Sequence, residues 1–132
     1  TYNTIGRHQS SIVRTRVCTS NSPWLLETKV GEIYSVPISH GEGRFIAPET
    51  LLDQLAESGQ VATQYVDLSG QPSLDTAFNP NGSLRAIEGI LSPDGRVLGK
   101  MGHSERVGKE LYRNVPGSYD MGLFRSAVRY FK

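Results

Sequence analysis

The sequence has a single cysteine, Cys18, among its 132 residues. No intramolecular disulfide can form, and a lone thiol fits a reducing compartment, so a cytoplasmic location is expected. An excess of charge of one sign is also missing. Fourteen Lys and Arg stand against 13 Asp and Glu, a formal net charge of +1. That removes the broad basic field through which nucleic acid or an anionic membrane surface is bound. No apolar run approaches the ~20 residues of a membrane-spanning helix, and no secretory leader is expected. Internal repeats and low-complexity linkers are absent too. What remains is 37% hydrophobic and 20% charged, the balance of a folded domain rather than a disordered chain. A single domain over 1–132 can bury about two-thirds of its unfolded surface.

Periodicity predicts about five strands and two helices. Residues 11–18 read as a strand, with Val13, Thr15 and Val17 on one face and Arg14 and Arg16 on the other. Residues 31–39 read as a second strand with Tyr34, Val36 and Ile38 sharing a side, and Pro37 suggests an edge or a strand end. Residues 47–58 are the clearest helix. Pro48 suits its first turn, Leu51, Leu52, Leu55 and Ala56 form a stripe, and Gly59 supplies the left-handed C-terminal residue. Residues 60–68 are a further strand, and 71–83, with Pro72, Pro80 and Asn81-Gly82, are loop. Ser92-Pro93-Asp94-Gly95 is a hairpin turn between strands at 86–91 and 96–101. Residues 119–131 form a closing helix, with Asp120 as its cap and Leu123, Phe124, Ala127, Val128 and Phe131 on its buried face. Clustered strands with a helix packed back on them suggest a sheet with helical cover.

The most informative residues are Gly102-His103-Ser104-Glu105-Arg106. They follow a strand-like run, and on extended backbone side chains two apart share a side. Glu105 can then reach a ring nitrogen of His103, fix its tautomer and favour the imidazolium. The plainer alternative is that Ser104 caps a short helix with Glu105 at its N-terminal end. His40-Gly41-Glu42-Gly43-Arg44 is a second polar cluster at a strand end, where two glycines permit positive φ and close backbone approach. It reads equally well as a turn with a solvated Arg, and it lacks the pattern of a phosphate loop. His40, Glu42, His103 and Glu105 together could ligate zinc, but nothing in their spacing gathers them. Cys18 has no nucleophile elbow around it and reads as a small half-buried thiol. Ser104 points away from the groups that would activate it. A base and its orienting acid are present without a credible nucleophile.

The stretches Pro37-Ile38-Ser39-His40-Gly41-Glu42-Gly43-Arg44-Phe45 and Val97-Leu98-Gly99-Lys100-Met101-Gly102-His103-Ser104-Glu105-Arg106 resemble the glutaminase domain of the phosphoribosylformylglycinamidine synthase family. Asn21-Ser22-Pro23-Trp24 and the closing Tyr130-Phe131-Lys132 are similar to it as well. The resemblance spans essentially the whole chain and covers the C-terminal half of the family's domain. It implies an α/β fold, a class I glutamine amidotransferase (flavodoxin-like) sheet with helices packed on it, of which this chain is a β-rich fragment. It implies a Cys-His-Glu triad in which His103 and Glu105 match the last two members. The nucleophilic Cys belongs to an elbow that precedes the matched region, and Cys18 does not match it. Many relatives carry Pro on both sides of the catalytic His, where this chain has Gly102 and Ser104.

The implied reaction is hydrolysis of glutamine. The ammonia passes to a synthetase domain that uses ATP and magnesium to make formylglycinamidine ribonucleotide in purine biosynthesis. The resemblance implies no cofactor in this chain. It assigns His40, Glu42 and Arg44 to the glutamine pocket or to the contact with the synthetase domain. The expected partners are glutamine, the synthetase domain and the upstream half of the glutaminase domain, with neither nucleic acid nor membrane. Alone, the chain is expected to be inactive and to self-associate through surfaces the missing half would cover. A non-catalytic β-rich interaction module and another triad glutaminase are the alternatives.

Overall fold

The computed structural model describes residues 1–132. Its frame is a five-stranded sheet, β1 (Gln9–Val17), β2 (Ile33–His40), β3 (Val61–Tyr65), β4 (Ile87–Leu91) and β5 (Leu98–Lys100), in the order β2-β1-β3-β4-β5. Two helices, α1 (Glu49–Glu57) and α2 (Leu123–Phe131), complete a mixed α/β architecture. All four strand pairings are antiparallel. Parallel pairing, which a flavodoxin-like sheet contains, does not occur within these residues.

Alternation sets the register. Val13, Thr15 and Val17 are buried on one face of β1, with Arg14 and Arg16 less covered on the other. The β1–β2 ladder pairs Gln9 with His40 and Arg16 with Ile33, setting Val13 opposite Val36 and Thr15 opposite Tyr34. A one-residue slip would turn this set outward. β2 is an edge strand, as Pro37 suggested. One core cluster gathers Val13, Val36, Ile38, Tyr65 and Ala86. A second gathers Val17, Leu25, Tyr34, Ala62, Leu91, Met121 and Leu123, tying α2 to the sheet.

The structure revises four expectations. In α1, which starts directly after Pro48, only Leu52 and Leu55 are buried; Leu51 and Ala56 are exposed. The hairpin at 92–95 forms, but β5 has only three residues; the Met101 N–H still donates to the Glu88 carbonyl at 3.1 Å, and the segment beyond it turns away. In α2 the buried residues are Leu123, Ser126 and Ala127, while Phe124, Val128 and Phe131 are 61%, 53% and 63% exposed. The reason is the seat of the helix. It packs on the short turn Pro23–Leu25, where Ser126 Oγ accepts a hydrogen bond from the Glu27 N–H at 3.1 Å. Small side chains permit that close approach, and the larger apolar residues are turned aside. Asp120 is not the cap: the helix starts at Leu123 with Gly122, in left-handed conformation, as its N-cap and no capping side chain, and Asp120 accepts from the Gly122 N–H at 2.8 Å and from Arg125 at 2.8 Å.

Candidate active site

The site lies where the β2 end meets the segment after β5. His103 and Glu105 sit on a turn rather than on extended strand. They nevertheless meet: the His103 ring Nδ1 lies 2.7 Å from Glu105 Oε1. The pairing expected from the sequence is therefore present, but for a different local reason. The turn is closed by the Arg106 N–H donating to the His103 carbonyl at 3.0 Å, which folds Glu105 back beside the ring. An ionised carboxylate only accepts hydrogen bonds, so Nδ1 is the donor in this contact, and in the neutral ring Nε2 keeps its lone pair. That is the tautomer of a general base. Glu105 is held below the usual carboxylate range, first by its own backbone N–H and then by His103.

His103 Nε2 is buried and makes no hydrogen bond, and the same is true of His40 Nδ1. The two imidazoles stack, with centroids 5.0 Å apart and planes 8° from parallel. Burial, and next the positive charge His103 can carry, push the His40 pKa down. Both rings line a cleft of about 320 Å³ whose walls include Trp24, Leu98, Leu123 and Phe124.

Of the other sequence-predicted site residues, Glu42 and Arg44 do not line this cleft. Glu42 is exposed. Arg44 donates from Nε to the Gly82 carbonyl at 3.1 Å. Asn3 pins their loop, giving Nδ2 to the His40 carbonyl at 2.8 Å and accepting from the Gly43 N–H at 2.9 Å. Neither glycine of the loop adopts positive φ. Gly43 is needed instead for space, because a Cβ there would collide with the Asn81 side chain. Cys18 is half-buried and its thiol donates to Gln64 at 3.4 Å. Burial pushes its pKa up, the opposite of what an attacking thiolate needs. No three His, Cys, Asp or Glu side chains gather to hold a metal ion. No helix is long and apolar enough to cross a membrane.

Sequence reasoning missed Glu88 and Lys100. Glu88 has no exposed side-chain surface, and its Oε1 lies 3.3 Å from Lys100 Nζ. The signal was present: an acid in an otherwise apolar strand and a base on the other arm of the same hairpin. Register pairs Gly89 with Lys100, which places Lys100 one position from Glu88 across the hairpin.

The family model described as a CobB/CobQ-like glutamine amidotransferase domain matches residues 1–131. The phosphoribosylformylglycinamidine synthase subunit PurQ of Methanosarcina mazei is 41% identical over 102 residues, 77% of this chain and 43% of that protein. PurQ of Gloeobacter violaceus is 38% identical over 116 residues, 88% of this chain and 48% of that protein. Among solved structures, that of PurLQS from Thermotoga maritima superposes with a TM-score of 0.73 at 28% identity, covering 99% of this chain and 51% of that one. The chain thus spans less than half the length of these curated relatives.

Proposed function

The chain belongs to the CobB/CobQ-like glutamine amidotransferase domain family, and from that premise we propose that it is the C-terminal part of the glutaminase domain of a phosphoribosylformylglycinamidine synthase. The observation that carries this reading is the 2.7 Å pairing of His103 with Glu105, both of which line one cleft. In the proposed reaction a cysteine thiol on the upstream part of the domain gives its proton to His103 Nε2, and the thiolate attacks the side-chain amide carbon of glutamine. His103 Nε2 delivers the proton that converts the leaving amide nitrogen to ammonia, and a thioester remains. His103 then removes a proton from the water that attacks the thioester, releasing glutamate and restoring the thiol. Glu105 keeps the ring in one tautomer and stabilises the imidazolium when it forms. His40, stacked on His103, shapes the pocket wall. Glu42 and Arg44, outside the cleft, suit the contact with the synthetase domain.

In this reading the ammonia is used by that synthetase domain, with ATP and magnesium, to convert formylglycinamide ribonucleotide to formylglycinamidine ribonucleotide in cytoplasmic purine biosynthesis. The chain itself contributes no cofactor site. The test is made on the longer enzyme that carries this segment. Changing His103 to Ala should reduce glutamine-dependent synthesis by roughly 10²–10⁴-fold and leave synthesis from added ammonium salt intact. Unchanged glutamine-dependent turnover would overturn the reading. The purified 132-residue chain should release no ammonia from glutamine.

A further inference from the structure

Four hydrogen bonds anchor residues 102–104. The Gly102 N–H donates to Glu88 Oε1 at 2.5 Å, and the Gly102 carbonyl accepts from Lys100 Nζ at 3.1 Å. The His103 N–H donates to the Pro37 carbonyl on β2 at 2.8 Å. The Ser104 hydroxyl accepts from Lys100 Nζ at 3.0 Å. Glu88 and Lys100 are ion-paired, so three of the four anchors trace to one largely buried pair.

Lys100 Nζ donates to the Gly102 carbonyl at 3.1 Å and to Ser104 Oγ at 3.0 Å and is ion-paired with Glu88 Oε1 at 3.3 Å. Although Lys100 lines the cleft, its ammonium is directed at these three groups. On the other side, Glu88 Oε2 accepts from Thr63 Oγ1 of β3. The carboxylate therefore links β3, β4 and the segment before His103. Packing leaves no slack either. A Cβ on Gly102 would lie 2.5 Å from Val36 Cγ2 and 2.9 Å from Glu88 Oε1, and any residue without an N–H there would lose the hydrogen bond to Glu88.

We propose that Glu88 and Lys100 are positioning residues, a buried ion pair that clamps the residues flanking His103 and so holds its ring against Glu105 in a single tautomer. A hydrophobic pair could fill the same space, and a buried ion pair is a poor source of net stability. What the polar groups add is direction, because each N–H and oxygen admits a narrow range of partner geometry. The purpose of the clamp rests on the glutaminase reading; its existence does not.

The experiment is ¹⁵N NMR of the full chain, reading the ring nitrogens of His103 and the Gly102 amide. The parent chain should show one His103 tautomer, with Nδ1 protonated, and a Gly102 amide strongly downfield. Glu88→Ala should return that amide to the ordinary range, lower the exchange protection of Gly102 and His103 by at least ~10-fold and bring in the second tautomer. Glu88→Gln should rescue both signals, since its carbonyl oxygen still accepts from Gly102. Lys100→Met should free Ser104 and also bring in the second tautomer. Protection of Val13 and Val36 reports that the sheet is intact. A folded Glu88→Ala or Lys100→Met chain that keeps a single tautomer overturns the proposal. If both fail to fold, the neutral pair Glu88→Gln with Lys100→Met decides: the second tautomer supports the clamp, and its absence overturns it. Ammonia release is read separately, so a failed glutaminase reading leaves this result untouched.

Discussion

Around His103, the carboxylates, the ammonium and the backbone are paired and tied to three strands, and only the ring atoms His103 Nε2 and His40 Nδ1 are left without a partner. Along the outer face of α2, large apolar side chains face water and touch little. The two regions adjoin, since Phe124 forms part of the cleft wall beside His103 and meets Trp24 edge-on with centroids 6.5 Å apart. The contrast teaches that a polar group is completed by a single well-placed partner, whether close in sequence, as Glu105 is to the His103 ring, or across the sheet, as Pro37 is to the His103 N–H. A hydrophobic stripe is completed only by a surface that covers it. Within these 132 residues the first condition is met and the second is not. Exposed Phe124, Val128 and Phe131 on one helix form the kind of patch that marks an interface, in keeping with a chain that spans less than half of its relatives.

The sharpest way to widen this contrast is to unpair the buried carboxylate. Lys100→Ala leaves Glu88 without its counter-charge and should cost about 3 kcal/mol, measured as a drop in urea midpoint at constant slope. A loss within error of zero would mean that water or a rearranged partner reaches Glu88, and the difference between the regions would shrink. Next in size, Gly102→Ala pushes a methyl against Val36 and Glu88. It should destabilise by roughly 1–3 kcal/mol, read in the same titration.

A smaller effect concerns pH. Burial and then His103 hold the His40 imidazole below its ordinary value, with His8 and Arg106 acting in the same direction and Glu88 opposing them. The unfolded chain therefore binds the proton first as pH falls. His40 costs no stability well above its ordinary pKa of ~6.5. Stability declines as pH drops below that value toward the lowered folded one. His40→Gln should flatten this part of the stability–pH curve, and an unchanged slope would show that another group is responsible. The smallest effect on stability belongs to α2. Phe124→Ser together with Val128→Ser should shift the urea midpoint by no more than about 0.5 kcal/mol per site, yet abolish the self-association expected of the parent chain in light scattering. A monomeric parent chain would remove the reason to regard this face as an interface.

The strands were legible because alternation at Val13, Thr15 and Val17, and at Tyr34, Val36 and Ile38, has one physical meaning. The hairpin was legible because Asp94-Gly95 leaves the backbone few options. The closeness of His103 and Glu105 was also readable, although the turn that joins them was not, since a two-residue separation is short enough for several backbone shapes to bring the groups together. The buried side of α2 was misjudged because its apolar stripe is wider than the surface it meets. Glu88 was missed because burial of a charge depends on the partner that neutralises it. Its partner lies 12 residues away in sequence, on the far arm of a hairpin.

The sequence by itself determined the local matters: strand and turn propensities, the lack of a disulfide, and a histidine–carboxylate couple whose members cannot stray far apart. Tertiary structure alone decided which charges are buried and which apolar residues are not. Burial is a property of what stands opposite a side chain, and sheet register and helix seating put it there.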